Sequence, residues 1–358
     1  MRQRSGWKPP AVSEKFETDY IIIATGSRPA AVPGVSIDSA KVLDSTTALD
    51  LPDVPKRLLV VGGGYIGLEL GTVYAALGSR VSIVEMTDGL LPGADPDLAA
   101  IVAKRMETAA EAILLETKVT IVKEGQNGLT VTFEGKNAPD GAQRFDRVLV
   151  AVGRKPNSLI AGLDKTQVKV NQRGFIEVDR QMRTVKPSIF AIGDVVGDPM
   201  LAHKASHEAR VAVEVIHGRP SAFEPRATPA VVFTDPELAW TGLTETEAKK
   251  QNIRVVVATF TWAASGRATT LDRPDGLTKL IIDPETERIL GVGIVGSGAG
   301  ELISEGTLAV EMSAVAADLK MTIHPHPTLP ETVMEAAHVF FGESAHVYKP
   351  KKRPQAEG

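Results

Sequence analysis

A buried strand, a glycine-rich turn and a helix are predicted near residue 60 from the pattern of apolar and polar positions. Arg57–Val61 is apolar after its first residue, as in a strand buried on both faces. Tyr65–Leu77 has the apolar spacing of a helix, and Gly78 is placed to end it. Arg80–Glu85 is a second strand-like run. The pattern therefore predicts a βαβ unit.

The rest of the chain changes texture twice. Tyr20–Ala24 is a β-branched run that suits a buried parallel strand, and the proline-containing residues 27–57 suit a connection between domains. From about Pro225 the pattern is typical of an antiparallel sheet with helices beside it. The other predicted helices are Pro96–Ala112, Ala205–His217, Glu245–Gln251, Gly300–Ala316 and Thr332–Phe341. The other predicted strands are Val119–Val122, Leu129–Phe133, Asp146–Val152, Ile189–Ile192, Val231–Phe233, Arg254–Phe260, Leu277–Asp283 and Ile289–Val295.

Composition places the chain among ordinary globular proteins. The 358 residues are 43% hydrophobic and 23% charged, and the net charge of −4 gives no sign of a nucleic-acid surface. No apolar run approaches the roughly 18–20 residues of a membrane span. The basic N-terminus has no apolar core behind it, so we expect no secretory signal and a cytoplasmic protein. Lys349–Arg353 is expected to be a solvated tail.

Cysteine is absent from the sequence. These residues therefore provide no disulfide, no thiolate metal ligand and no thiol nucleophile. Dithiol chemistry on groups of this chain alone is excluded.

The turn Gly62–Gly67 has the spacing of a dinucleotide-binding fingerprint and lies between the predicted strand and helix. Gly62 permits the tight turn, Gly64 lets a pyrophosphate approach the backbone, and Gly67 allows close packing of helix and strand. The helix N-terminus then presents amide groups to the phosphates. Glu85 lies where a carboxylate would bond both ribose hydroxyls and repel a 2′-phosphate, which favours NAD over NADP. The alternative is a glycine turn kept only for packing.

Six segments carry a resemblance to a known family. They are Ala24–Pro29, Gly62–Gly71, Ala151–Asn157, Ala191–Asp194, Val232–Glu237 and His324–Glu331. Together, and in this order, they resemble the dihydrolipoamide dehydrogenases, a group within the pyridine nucleotide–disulfide oxidoreductases. The resemblance spans Asp19 to Tyr348. It implies a homodimer that uses FAD and NAD, with 2-oxoacid dehydrogenase or glycine cleavage complexes as partners through lipoyl domains, and no nucleic-acid or membrane partner.

The resemblance also implies roles for particular residues. Toward NAD the contacts would be Gly62, Gly63, Gly64, Tyr65, Ile66, Gly67, Glu85 and Gly153, with Tyr65 over the flavin face where nicotinamide docks. Toward FAD they would be Thr25 and Gly26 on the phosphate and adenosine side, Asp194 on the ribityl chain, and Met200, Leu201, Ala202 and His203 beside the flavin. The N-terminus of the helix predicted at Ala205–His217 would point at the flavin pyrimidine edge and favour the anionic reduced ring. His326 would be the acid/base of dithiol chemistry, oriented by Glu331 and serving the flavin of the partner subunit.

Each of these roles has a simpler alternative. Asp194 follows a strand and a glycine and could be only a turn residue. Tyr65 could be core filler. Thr328–Glu331 reads as a capping box, which explains Glu331 without catalysis. His324 and His326 are spaced for a metal clip, but the sequence offers no third ligand beside them, so we expect no metal site.

The fold class expected is α/β, with a Rossmann-like NAD domain and a partial FAD domain, followed by an α+β dimerisation domain. The boundaries expected are 1–54 and 154–224 for the partial FAD domain, 55–153 for the NAD domain, 225–348 for the dimerisation domain and 349–358 for the tail.

The chain departs from the family that it resembles. The family begins with a glycine-rich FAD-binding βαβ unit and a Cys-x4-Cys redox disulfide, and neither occurs here. The hypothesis is therefore a truncated product or fragment. Glu69 would lack the lysine that it normally pairs with, and apolar faces around Tyr20–Ala24 and Phe190–Ile192 would be exposed.

Three functions follow from this sequence. The first is a flavin-dependent NAD oxidoreductase like dihydrolipoamide dehydrogenase, in which a dihydrolipoyl dithiol is oxidised through FAD to NAD. The second is an NADH diaphorase or flavin reductase without thiol chemistry. The third is a non-catalytic dimeric module that binds NAD.

Overall fold

The computed structural model describes residues 16–32, 39–51, 53–126 and 128–347. The predictions for the N-terminus and for the tail 349–358 lie outside the described residues. The strands are β1 (Ile21–Ile23), β2 (Ser27–Pro29), β3 (Val42–Leu43), β4 (Arg57–Val61), β5 (Arg80–Val84), β6 (Ala112–Leu114), β7 (Thr117–Gly125), β8 (Gly128–Gly135), β9 (Gln143–Phe145), β10 (Arg147–Val150), β11 (Arg154–Pro156), β12 (Ile189–Ala191), β13 (Ala230–Val232), β14 (Glu237–Gly242), β15 (Val256–Thr261), β16 (Leu277–Ile282) and β17 (Ile289–Gly296). The helices are α1 (Tyr65–Ala76), α2 (Pro96–Ala109), α3 (Ala202–Ile216), α4 (Glu245–Gln251), α5 (Gly266–Thr270), α6 (Ala299–Glu311), α7 (Ala316–Met321) and α8 (Glu331–Phe341).

The chain divides into two compact units. The first contains the residues up to Ser27 together with Pro156–Glu224, and the second contains Arg28–Lys155 together with the residues from Pro225 onward. None of the helices in the described part of the chain is long and apolar enough to cross a membrane.

A parallel five-stranded sheet in the order β3-β10-β4-β5-β6 forms the first layer of the second unit. Its central strands are buried on both faces. Helices α1 and α2 pack on one face, where Leu68, Tyr74 and Val102 join the core, and the β7-β8-β9 sheet packs on the other face through Val131 and Phe133. The predicted βαβ unit is confirmed. Val42–Leu43 also joins this sheet, although its segment reads from the sequence as a connection.

Two antiparallel sheets complete the second unit. The smaller has the order β7-β8-β9, and the larger has the order β13-β14-β17-β16-β15 with α6 and α8 packed on it. The sequence reading missed β14, which lies second in the larger sheet. The helix expected at Gly300–Ala316 is wrong, because Ser313 adopts a positive φ of 56° and separates α6 from α7.

A buried lysine joins the α/β layer to the antiparallel layer. Lys279 of β16 is 1% exposed, and its Nζ lies 3.0 Å from Asp95 Oδ2, 2.8 Å from Asp97 Oδ1 and 2.9 Å from Glu245 Oε2. Asp95 precedes α2, yet its oxygens also accept the backbone N–H groups of Glu245 and Thr246 in α4. One carboxylate therefore caps a helix of the other layer and neutralises part of the lysine charge.

The pKa values of Lys279, Asp95 and Glu245 shift toward the charged forms. Burial alone would lower the pKa of Lys279, but its hydrogen bonds to the three carboxylates outweigh burial and raise it. Burial would raise the pKa of Asp95, but the N–H groups of α4 and the Lys279 ammonium lower it. The carboxylates and the ammonium of this buried ion-pair cluster are therefore all charged at neutral pH, and the cluster loses its ion pairs only in strong acid or strong alkali.

The first unit contains the two-stranded parallel sheet of β1 and β12 and the helix α3. The expected exposure is confirmed at β1, where Ile21 is 48% and Ile22 is 37% exposed. It is wrong at β12, because Phe190 is only 1% exposed and packs in a cluster with Val211 and Val215 of α3.

Candidate functional site

In the turn between β4 and α1, each of the three glycines of the motif has a different geometric role. Gly62 has φ +109°, and a Cβ there would lie 2.4 Å from the Ala151 carbonyl oxygen. A Cβ on Gly67 would lie 2.2 Å from the Gly62 carbonyl oxygen, so the turn and the helix can meet only through glycine. A Cβ on Gly64 would meet nothing within 4 Å. The turn is closed by backbone at two positions and open to a ligand at the third.

The first turn of α1 fits a phosphate. Gly64 is its N-cap, no side-chain cap bonds the first-turn amides, and this turn contains no acidic residue. A pyrophosphate placed over Gly64 would meet these amides and the positive end of the helix dipole. Tyr65 is 39% exposed, so it is not core filler, whereas Ile66 packs against the buried cluster of the sheet. Gly153, with φ +114°, follows the sheet strand β10.

Glu85 follows β5 and is anchored on both carboxylate oxygens. Its Oε2 accepts the Gly63 N–H at 2.7 Å, and its Oε1 accepts the Thr87 N–H at 2.8 Å and the Thr87 hydroxyl at 2.9 Å. Each carboxylate oxygen can accept more than one hydrogen bond, so a ribose diol can still bind. Thr87 is a positioning residue that the sequence reading missed, although a hydroxyl two residues after an acid is a recognisable signal.

The residues expected to face FAD lie together in the first unit. Thr25 Oγ1 donates to the Asn157 carbonyl at 2.8 Å, and the Asn157 N–H donates to the Gly26 carbonyl at 2.9 Å. Asp194 lies in a short 3₁₀ turn after β12, and its Oδ2 accepts the Ser27 hydroxyl at 2.5 Å. Asp194 is therefore both a turn residue and a bonded carboxylate.

Helix α3 begins at Ala202, three residues before the predicted start, with Leu201 as its N-cap and no side-chain cap. Met200 and Leu201 are half-buried, and Ala202 and His203 are exposed. The α3 amides can thus face a ligand, and together with a carboxylate at Asp194 this donor and acceptor set fits a flavin and its ribityl hydroxyls.

A buried ion pair fixes this turn, and the sequence reading missed it. Glu208 Oε2 accepts the Gly193 N–H at 2.6 Å, and Glu208 Oε1 lies 2.7 Å from Lys204 Nζ. Lys204 also donates to the Gly197 carbonyl at 3.3 Å. The i,i+4 spacing of Lys204 and Glu208 was readable, but their burial to 7% and 2% exposure was not.

A histidine–glutamate pair lies at the start of α8, in the second unit. His326 Nδ1 is 2.9 Å from Glu331 Oε1, and the His326 side chain is 79% exposed. Glu331 Oε2 accepts the Thr328 N–H at 2.7 Å, so only one half of the predicted capping box forms. The Thr328 hydroxyl donates instead to the Pro325 carbonyl. Glu331 thus caps the helix entry and orients the imidazole at the same time.

Glu331 is held in its ionised form in this arrangement. Burial would raise the pKa of Glu331, but the Thr328 N–H, the His326 bond and the nearby histidine charges outweigh burial and lower it.

The His326–Pro327 bond is cis. His324 bonds a different carboxylate, Glu305, at 2.8 Å, so the two rings do not converge as a metal clip would require.

Glu69 has a partner that the sequence did not suggest. Its Oε1 accepts the backbone N–H of Phe233 at 2.9 Å, across 164 positions of the chain. Burial raises the pKa of Glu69, although the Phe233 N–H acts in the opposite direction. The sequence predicts a Glu69 carboxylate that has lost its lysine and is solvated or protonated. The structure gives this carboxylate a backbone N–H partner, and its raised pKa favours the protonated form.

Glu69→Gln should stabilise the protein at neutral pH by up to about 1 kcal/mol. The raised pKa means that the cost of the buried charge is absent below the ordinary value of 4.5 and appears as the pH rises through the native value. The amide oxygen of glutamine can still accept the Phe233 N–H. Thermal unfolding from acid to neutral pH should show a melting-temperature gain that vanishes toward pH 4.5, whereas the exposed control Glu107→Gln on α2 should show none. A constant gain at all pH values would contradict this assignment.

Comparisons with known proteins place this chain in a family. The family model described as "Pyridine nucleotide-disulphide oxidoreductase" matches residues 5–209, and its dimerisation domain matches residues 228–337. The chain is 52% identical over 324 residues to the dihydrolipoyl dehydrogenase of Vibrio parahaemolyticus, covering 90% of this chain and 68% of that protein. It is 47% identical to that of Geobacillus stearothermophilus, covering 91% and 69%.

The chain belongs to the pyridine nucleotide-disulphide oxidoreductase family. The resemblance read from the motifs is confirmed, and so is the fold class. The family's dimerisation domain supports a homodimer.

Solved structures agree with this fold. The crystal structure of LpdA from Mycobacterium tuberculosis matches with a TM-score of 0.83 at 27% identity, covering 90% of this chain and 70% of that one. The HOCl-induced flavoprotein disulfide reductase RclA from Escherichia coli, as its Cu(II) complex, matches with a TM-score of 0.81 at 28% identity, covering 88% and 72%.

Proposed function

We propose that the protein is a dihydrolipoyl dehydrogenase-type oxidoreductase that holds FAD and NAD and acts on a dithiol of the lipoyl class in the cytoplasm. The observation that carries the proposal is the His326–Glu331 pair, with its exposed imidazole and bonded carboxylate, in a chain of this family. Such a pair can take a proton from a thiol and return it. The complexes proposed as partners are 2-oxoacid dehydrogenase or glycine cleavage complexes, reached through their lipoyl domains.

The glycine turn and Glu85 are proposed to hold NAD. The open space over Gly64 and the uncapped start of α1 would receive the pyrophosphate, and the Glu85 carboxylate would bond the ribose hydroxyls. Gly62, Gly63 and Gly67 keep the backbone close to the ligand. Tyr65 and Gly153 would border the nicotinamide end.

The first unit is proposed to hold FAD. Asp194 would bond the ribityl chain, Thr25 and Gly26 would lie on the phosphate and adenosine side, and Met200–His203 would lie beside the ring. When bound, FAD supplies a two-electron acceptor and NAD takes the electrons as hydride. The domain boundaries 1–54 with 154–224, 55–153 and 225–348 are part of the same proposal.

Glu331 holds the imidazole of His326 by its Nδ1, which leaves Nε2 as the nitrogen for proton exchange with a substrate thiol. The lowered pKa of Glu331 keeps the carboxylate ionised, so it can stabilise the imidazolium formed when the thiol loses its proton. These two side chains bind and move the proton.

A second function is favoured by one observation, the absence of cysteine from these 358 residues. A thiol–disulfide relay would need sulfurs from outside them. Transfer from NADH through FAD to a quinone or dye needs none, so an NADH diaphorase is the second candidate.

Two assays on purified protein supplied with FAD separate these functions. Reduction of NAD that depends on dihydrolipoamide supports the first function. Oxidation of NADH by a quinone dye without any dithiol-dependent reaction supports the second. No flavin retained after gel filtration, and neither activity above that of free FAD, would overturn both.

Glu85→Ala should weaken NADH binding by about 10- to 100-fold, because hydrogen bonds to a charged group contribute about 1.5–3 kcal/mol. Binding of NADPH should change less, since removing the carboxylate also removes a repulsion from the 2′-phosphate. Isothermal titration with both nucleotides measures the difference. Asp88→Ala, an exposed acid three residues later, is the matched control. Equal losses for NADH and NADPH would argue against a ribose contact at Glu85.

A further inference from the structure

A second histidine, two residues before His326, is held more firmly than His326 itself. The side chain of His324 is 5% exposed, and both ring nitrogens have partners. Nδ1 lies 2.9 Å from the Thr322 carbonyl oxygen, and Nε2 lies 2.8 Å from Glu305 Oε1. Glu305 belongs to α6, which packs on the larger sheet, whereas His324 lies in the loop between α7 and α8.

The partners decide where the protons are. A carbonyl oxygen only accepts, so Nδ1 of His324 carries a proton. An ionised carboxylate also only accepts, so the bond at Nε2 requires a second proton between the ring and Glu305. The pair therefore holds one proton more than a neutral histidine bonded to a carbonyl, and charge-assisted hydrogen bonds of this kind are about twice as strong as neutral ones.

The chain between His324 and Glu331 is short and restrained. Pro325 and Pro327 fix their own φ angles and restrict the residues before them. The Thr328 hydroxyl donates to the Pro325 carbonyl at 2.6 Å, and the Thr328 N–H donates to Glu331 at 2.7 Å. Because this backbone is restrained, the fixed position of His324 also restricts the position of His326.

The charge of His324 also acts on Glu331. The charge of His324 is one of the influences that lower the pKa of Glu331, after burial, which acts in the opposite direction, and after the Thr328 and His326 contacts. A protonated His324 thereby helps to keep Glu331 ionised for its bond to His326.

We propose that His324 and Glu305 form a positioning pair that shares a proton and holds the His326–Glu331 pair in place from α6. His324 touches no substrate in this proposal; it acts through the loop and through Glu331. The significance of His326 as a base rests on the proposed function, whereas the shared proton and its effect on the loop do not.

Nuclear magnetic resonance of protein labelled with ¹⁵N-histidine tests the pair, with each ring assigned by single substitution. Near neutral pH, His324 should show protons on both ring nitrogens. In Glu305→Gln it should lose the Nε2 proton, the ¹⁵N shift of His326 Nδ1 should move, and the Thr328 amide should exchange about tenfold faster. Glu301→Gln, an exposed acid one turn earlier on α6, should leave all three signals unchanged.

A neutral His324 in the unmodified protein would overturn the proposal, and this result needs no variant to fold. A Glu305→Gln variant that changes His324 but leaves His326 and Thr328 as in Glu301→Gln would also overturn it, since a merely structural role predicts that outcome. None of these signals depends on turnover, so the absence of dithiol activity would count against the proposed function alone.

Discussion

Lys279→Met should lower the free energy of unfolding by about 3–5 kcal/mol at neutral pH, the largest effect expected of any single substitution considered. The change leaves Asp95, which is 3% exposed, together with Asp97 and Glu245 but without their common cation. An uncompensated buried carboxylate costs far more than the exchange of a whole ion pair for apolar groups. Denaturant unfolding at constant protein concentration measures the loss.

The matched control is Lys249→Met. Lys249 pairs with the same Glu245 at 2.8 Å, but its side chain is 75% exposed, so the change should cost no more than about 1 kcal/mol. At acid pH the difference in the free energy of unfolding between Lys279→Met and the unmodified protein should become smaller. The lowered pKa of Asp95 means that its contribution is present above its ordinary value of 3.8 and is lost as the pH falls further. Equal losses in the free energy of unfolding for Lys279→Met and Lys249→Met would show that the buried ion-pair cluster does not stabilise the fold.

Gly67→Ala should weaken NADH binding by about 100-fold and also destabilise the fold by about 1–3 kcal/mol. Its Cβ would lie 2.2 Å from the Gly62 carbonyl oxygen, so α1 must move away from β4 and the phosphate cradle opens. Titration with NADH and denaturant unfolding of the same preparation measure the two losses.

Gly64→Ala separates an effect on ligand binding from an effect on the stability of the fold. A Cβ there meets no atom of the described residues within 4 Å, and the backbone, at φ −78° and ψ 176°, is allowed for alanine. We expect near-normal stability with a loss of NADH affinity of at least about tenfold, because the methyl group occupies space that a pyrophosphate needs. Gly71→Ala on the same helix, with ordinary 3.6 Å contacts, should leave binding unchanged. Undiminished NADH binding by Gly64→Ala would place the phosphates elsewhere.

Local patterns predicted the parts of this fold that local forces determine. The βαβ unit is readable because its strands are buried on both faces and its turn allows only glycine at Gly62 and Gly67. Strand β14 was missed because its sequence, Glu-Leu-Ala-Trp-Thr-Gly, has too few β-branched residues for a strand pattern.

Burial and long-range partners were not readable. Ile21–Ile23 has the apolar character of a buried strand, but burial depends on what packs against it, and β1 is largely exposed. Glu69 meets Phe233, and Lys279 meets Asp95, from 164 and 184 positions away. The His326–Glu331 pair was predicted from family resemblance, whereas the pairs of His324 with Glu305 and of Lys204 with Glu208 emerged only from the structure.

An anaerobic titration of the purified protein, supplied with FAD, with NADH tests the central claim most directly. We expect that NADH removes the visible absorbance of protein-bound flavin, that NADPH is less effective, and that Gly64→Ala needs at least about tenfold more NADH for the same loss of absorbance. Flavin reduction no faster than with free FAD, or equal reduction by NADPH, would contradict the assignment of this chain as a flavin-linked NAD oxidoreductase.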